Sequence, residues 1–167
     1  MKNLLPFLIV FYFFVSLNSN AQKKPAKVLC SDIFKTEVDQ FTKVESKFLK
    51  KPIHLLADNE KIILDVFTST PTVILSFMFV KSQCVEAASD IDFLFEDDQS
   101  LSFQNSDKFN CDGNLSVSFT DETEYDKFVS KKIKAIRLRT SKKRFTVNLS
   151  ATQAVKIKQV FTCLVKK

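Results

Sequence analysis

Glycine is nearly missing from this chain, with Gly113 the single one in 167 residues. A P-loop and a dinucleotide fingerprint each need several glycines so that backbone can approach phosphate closely, and nucleotide chemistry of those kinds is therefore excluded. His54 is the only histidine, which rules out multi-histidine zinc sites and the H-E-x-x-H motif. It sits in an apparent strand, Ile53-His54-Leu55, with no nucleophile-elbow motif elsewhere, and reads as an ordinary strand residue. Tryptophan is absent, while eighteen phenylalanines point to a phenylalanine-dominated core. No apolar run reaches the ~20 residues that a membrane-crossing helix requires.

What is present begins with a leader. Met1-Lys2-Asn3 carries one positive charge, residues 4–17 are uncharged and largely apolar, and Asn18-Ser19-Asn20-Ala21 is small and polar. That order predicts a signal peptide over 1–21, and a run interrupted by Pro6 is too short to remain as an anchor. No cysteine follows directly to accept a lipid. The expectation is a secreted or periplasmic protein with no transmembrane helix after cleavage, a flexible start at 22–29, and a single disulfide-stapled domain at 30–167.

The four cysteines, Cys30, Cys84, Cys111 and Cys163, all follow the expected cleavage site and contain no C-x-x-C, so an exported chain would use them as a disulfide framework. Hairpin geometry chooses among the pairings. Residues 91–95 and 101–103 read as two strands joined through 96–100, and extending their register brings Cys84 close to Cys111. Cys30 is then left to join Cys163.

Periodicity places the remaining elements. Phe34, Val38, Phe41, Val44 and Phe48 recur at helical spacing, yet Val44, Ser46 and Phe48 also alternate, so residues 34–48 are readable as helix or as strand. Residues 53–56, 61–68 and 72–80 are rich in β-branched and aromatic residues and are separated by turn signals, predicting three consecutive antiparallel strands. The near-continuous apolar run at 73–80 suggests a strand covered on both faces, whereas the alternation at 115–119 suggests one wet face. Asp121 and Glu124 signal a short helix near 121–130. Residues 133–140 and 145–149 form another hairpin, and Ser150 with Gln153 makes a capping box ahead of a stripe of Ala154, Ile157, Val160, Phe161 and Leu164. The fold class is α+β: an antiparallel sheet of mostly consecutive hairpins with the C-terminal helix packed on it.

Charge is sharply divided. Residues 86–126 hold twelve acids and one base, and residues 127–167 hold thirteen bases and no acid. Either the two segments neighbour and offset each other, or the basic one faces a partner. For the second reading the candidate anion-binding residues are Lys134, Arg137, Arg139, Lys142, Lys143 and Arg144. Arg137 and Arg139 share one strand face and suit bidentate grip of phosphate or carboxylate. An anionic envelope polymer, a lipid headgroup or an acidic protein would be the partner, and nucleic acid is not expected outside the cell.

Chemistry is otherwise thinly signalled. Asp90, Asp92, Asp97 and Asp98, or Asp112 near Asn110 and Asn114, supply oxygens without the spacing of an EF-hand, and Asp97-Asp98 and Asp112-Gly113 are turn chemistry. No metal, no cofactor and no catalytic residue is assigned. The function expected is an exported, non-enzymatic binding or structural protein of the cell envelope acting through a charged sheet face. A small carboxylate-dependent hydrolase or an exported protein inhibitor is the alternative.

Several segments carry a resemblance: the leader ending Asn20-Ala21-Gln22, Val38-Asp39-Gln40-Phe41-Thr42, residues 91–98, Phe109-Asn110-Cys111-Asp112-Gly113, residues 132–137 and Phe161-Thr162-Cys163-Leu164. Together they resemble a group of uncharacterised small secreted proteins of Bacteroidota-type bacteria. The resemblance implies an exported domain and a strand within 34–48, and supplies neither an activity nor catalytic residues.

Overall fold

In a computed structural model the described residues are 29–69 and 71–165; the signal peptide expected at 1–21 and all but Leu29 of the flexible start expected at 22–29 lie outside them. Among the described residues the elements run α1 (Cys30–Ile33), β1 (Phe34–Val38), β2 (Glu45–Leu49), β3 (Ile53–Ala57), β4 (Glu60–Ser69) and β5 (Thr72–Phe79). They continue as β6 (Asp90–Phe95), β7 (Ser100–Gln104), β8 (Asn114–Phe119), α2 (Glu122–Ser130), β9 (Ile133–Arg139), β10 (Arg144–Asn148) and α3 (Ala151–Val165). The class is α+β, with every strand pairing antiparallel.

The strands divide into two sheets where local pattern suggested one. A six-stranded sheet has the order β1-β2-β4-β5-β8 with β3 also on β4, and a four-stranded sheet has the order β10-β9-β6-β7. Consecutive hairpins account for most pairs, while β2–β4, β5–β8 and β6–β9 skip along the chain. Such long-range pairings leave no local trace, because the turn chemistry that announces a hairpin is absent from them.

The two sheets meet through phenylalanine. Phe77 of β5 lies 6.2 Å from Phe93 of β6, and Phe79 lies 4.9 Å from Phe145 of β10, measured between ring centroids. Phe128 of α2 stacks on Phe161 of α3 at 4.4 Å and meets Phe93, Phe95 and Phe119 edge-on. The edge-on contacts of Phe128 place ring edges against ring faces, as the aromatic quadrupole favours.

Helix starts follow the expected caps. Asp121 accepts from the Thr123 backbone N–H at 2.8 Å, and Ser150 and Gln153 exchange hydrogen bonds, Gln153 N donating to Ser150 Oγ and Ser150 N to Gln153 Oε1. Ala154, Ile157, Val160 and Phe161 are buried, so the stripe on α3 is core.

One open reading is decided and two others need correction. Residues 34–48, readable as helix or as strand, are strand and turn: Asp39 Oδ1 accepts from the N–H groups of Phe41 and Thr42, and Lys43 takes a positive φ of 59°. Phe41 then sits at the tip, 95% exposed, so the helical spacing that counted it as core was accidental. The run at 73–80 is covered on one face only, since Val73, Leu75, Phe77 and Phe79 are buried but Met78 is 49% exposed. At β8 the expected wet face is partly dry, because Asn105 accepts from Ser116 N at 2.9 Å and the following Ser106 N donates to Ser116 O.

Turns use the conformations their residues allow. Asp58 and Asn59 have φ of 48° and 64° between β3 and β4, the doubly positive turn that matches strand twist. Gly113 has φ +75°, and a Cβ there would stand 3.1 Å from Phe79 Cβ, so the chain's one glycine occupies a place that needs it.

The cysteines join as Cys30–Cys163 and Cys84–Cys111. Val85 and Asn110 exchange backbone hydrogen bonds beside the second bridge, a continuation of the β6–β7 neighbourhood. Among the described residues no helix is long and apolar enough to cross a membrane.

Candidate anion-binding surface

Antiparallel register decides where the charges go. In the four-stranded sheet Asp92 lies opposite Arg137 and Ile91 opposite Leu138. Ile91 and Leu138 turn inward and are buried. Because successive side chains alternate faces, the aspartates and arginines stand together on the outer face.

There they pair. Arg139 Nη1 donates to Asp90 Oδ2 at 2.8 Å, and Arg137 Nη1 lies 3.8 Å from Asp92 Oδ2. At the other end of the sheet the β6–β7 turn brings three acids to three lysines. Lys131 meets Asp97 at 2.5 Å, Lys134 meets Asp98 at 2.9 Å and Lys132 meets Glu96 at 3.5 Å. Lys131 also donates to Gln99 Oε1 at 2.7 Å. The hydrogen bond from Lys131 holds the Asp97 carboxyl below its ordinary pKa, as a cation that binds the charged form must. All these pairs are substantially solvated, so their work is neutralisation more than stability.

Of the six candidate residues, then, Lys134, Arg137 and Arg139 are engaged by Asp98, Asp92 and Asp90. The acidic and basic segments do neighbour each other across β6 and β9. Lys142, Lys143 and Arg144 differ: among the described residues none of the three has an ion-pair partner.

Lys142 and Lys143 sit on the β9–β10 turn and Arg144 opens β10 directly after it; the turn is held at several points. Thr140 N and Oγ1 both donate to the Lys143 carbonyl, at 2.9 and 3.1 Å. Ser141 N and Oγ donate to the Cys84 carbonyl at 3.0 and 2.8 Å, which ties the turn to the Cys84–Cys111 bridge. The Lys143 ammonium lies 4.2 Å above the Phe145 ring, and Arg144 stands opposite Arg139 in register. A basic turn is legible in the sequence; its anchorage on Cys84 is not, because it links residues 57 apart.

The other candidates are accounted for by structure. His54 is exposed and contributes its carbonyl to Gln153 Nε2 at 2.9 Å. The Asn110 side chain is spent on the Asn114 backbone, its Nδ2 donating to Asn114 O and its Oδ1 accepting from Asn114 N, while the Asn114 side chain donates to Asp107 Oδ2 and accepts from Ser76 Oγ. Among the described residues no group of three or more His, Cys, Asp or Glu could hold a metal ion. Sequence reasoning passed over Asn105, which is buried. Its amide donates to the carbonyls of Glu86 and Asp107 and its Oδ1 accepts from Ser116, closing the loop beside β8.

No family model, no curated protein and no solved structure matches this chain.

Proposed function

We propose that this is an exported, non-enzymatic binding protein of the cell envelope that grips an anionic polymer through its β9–β10 turn. The observation that carries the reading is the contrast between two sets of cations. Lys134, Arg137 and Arg139 already face carboxylates, whereas Lys142, Lys143 and Arg144 follow one another across a braced turn and the first residue of β10 with no ion-pair partner among the described residues. A braced turn loses little backbone freedom on binding, so the ordering cost falls on the side chains alone. Three consecutive cations suit a ligand that repeats its negative charge.

Two formed disulfides support an oxidising compartment, in keeping with the leader expected at 1–21. Asp90, Asp92, Asp97 and Asp98 each face a cation, which leaves this sheet face close to neutral and the basic turn as its unmatched charge.

Retention on a dextran sulfate matrix across a salt gradient tests the assignment, since exposed charge contacts are screened by salt. Lys142→Ala with Lys143→Ala and Arg144→Ala should elute at clearly lower salt than the parent. Arg137→Ala with Arg139→Ala, which also frees Asp90 and Asp92, should shift it less per charge removed. Equal or greater loss from the second variant overturns the assignment to the turn.

A further inference from the structure

A cleft of about 370 Å³ opens between α1 and α3, away from the basic turn, with the Cys30–Cys163 bridge in its wall. Ile33 and Val155 add apolar surface, and among the described lining residues the charged ones are Lys132 and Lys158. Val155 is 40% exposed on a helix whose other apolar residues are largely core. Lys158 Nζ donates to the Ser130 carbonyl at 2.7 Å, which spends one of its three hydrogens. Lys132 pairs with Glu96 at 3.5 Å, an exposed contact that leaves ammonium hydrogens free for a further acceptor.

We propose that this cleft binds a small carboxylate carried on an apolar body. Two ammonium groups with hydrogens to spare, no acid in the described lining and an apolar wall select a ligand with one negative end and a hydrophobic remainder. At ~30 Å³ for each water-sized group, the volume takes about a dozen non-hydrogen atoms, the size of decanoate. Residues 22–27 include Lys23, Lys24 and Lys27, whose charge matches that of the cleft, so like-charge repulsion disfavours the chain's own start as occupant.

Calorimetric titration of the purified, disulfide-bonded protein with monomeric decanoate tests this, with decan-1-ol as the uncharged comparison. One saturable site is expected, with decanol weaker. Lys158→Gln should weaken decanoate about ten- to hundredfold, the range of a charge-assisted hydrogen bond. Should that variant fold poorly, Val155→Glu, an exposed helical position, places a like charge in the cleft and should weaken decanoate similarly while leaving melting unchanged. Absence of saturable binding overturns the proposal, as does equal affinity for decanol or a Val155→Glu protein that binds decanoate normally. Binding that emerges only after residues 22–27 are removed also overturns it, by making the chain's own start the occupant.

Discussion

Removing the Cys30–Cys163 bridge should cost more stability than removing any other single cross-link. The bridge spans 133 residues and encloses the Cys84–Cys111 bridge, which spans 27. With the inner bridge intact the effective loop shortens to about 106 residues, and chain entropy then gives about 5 kcal/mol for the outer bridge and about 3.5 for the inner. Residual compactness of the denatured chain reduces the outer figure to about 3 to 5 kcal/mol. For a domain of this size that is a fall of roughly 10–20 °C in Tm. The native state itself loses little, since the side chains removed are small.

Urea unfolding followed by far-ultraviolet circular dichroism is the assay, because the chain has no tryptophan to report fluorescence. Cys30→Ala with Cys163→Ala should lower the midpoint further than Cys84→Ala with Cys111→Ala. It should also raise the m-value more, since the freed denatured chain exposes more surface. A smaller drop in midpoint for the outer pair than for the inner, with m unchanged in both, would refute the loop-entropy reasoning.

Other expectations concern the core and the turns. Phe128→Ala should destabilise by about 3 to 5 kcal/mol in the same urea assay, because it empties the junction of α2, α3 and both sheets; a loss under about 1 kcal/mol would mean the site collapses to fill itself. Gly113→Ala should cost about 1 to 3 kcal/mol through its positive φ and the close approach to Phe79, and an unchanged melting temperature would show that the turn readjusts freely. Carboxyl NMR should find Asp97 titrating below the ordinary aspartate pKa of about 4, with Lys131→Met returning it toward that value. Since the folded pKa is depressed, whatever this group adds to stability is present above the unfolded value and disappears as pH falls through the folded one; a titration indifferent to Lys131→Met would dissolve the pairing.

Much of the fold was legible because local chemistry announced it. The Ser150 and Gln153 capping box with its stripe marked α3, Asp121 marked α2, and Asp58-Asn59 marked the β3–β4 turn. At residues 34–48 local pattern left helix and strand open, since an accidental spacing through the exposed Phe41 imitated a helix beside a genuine alternation. The apolar run at 73–80 misled for a related reason. Hydrophobicity reports preference for burial, but whether a second layer exists to cover Ile74 and Met78 depends on elements far away in the chain.

By itself the sequence determined which motifs the chain lacks, the alternation that puts Arg137 and Arg139 on one face, and the hairpin neighbourhood that draws Cys84 toward Cys111. Those follow from residue type and from the fixed period of helix and strand. Only the tertiary structure decided which cations remain available, because cross-strand register sets Asp92 against Arg137 and Asp90 beside Arg139 while leaving Lys142, Lys143 and Arg144 without an ion-pair partner among the described residues. It also decided the division into two sheets and the cleft beside Cys30–Cys163. Both arise from pairings between distant segments, whose energy comes from burial shared across the whole core and is written in no single stretch of chain.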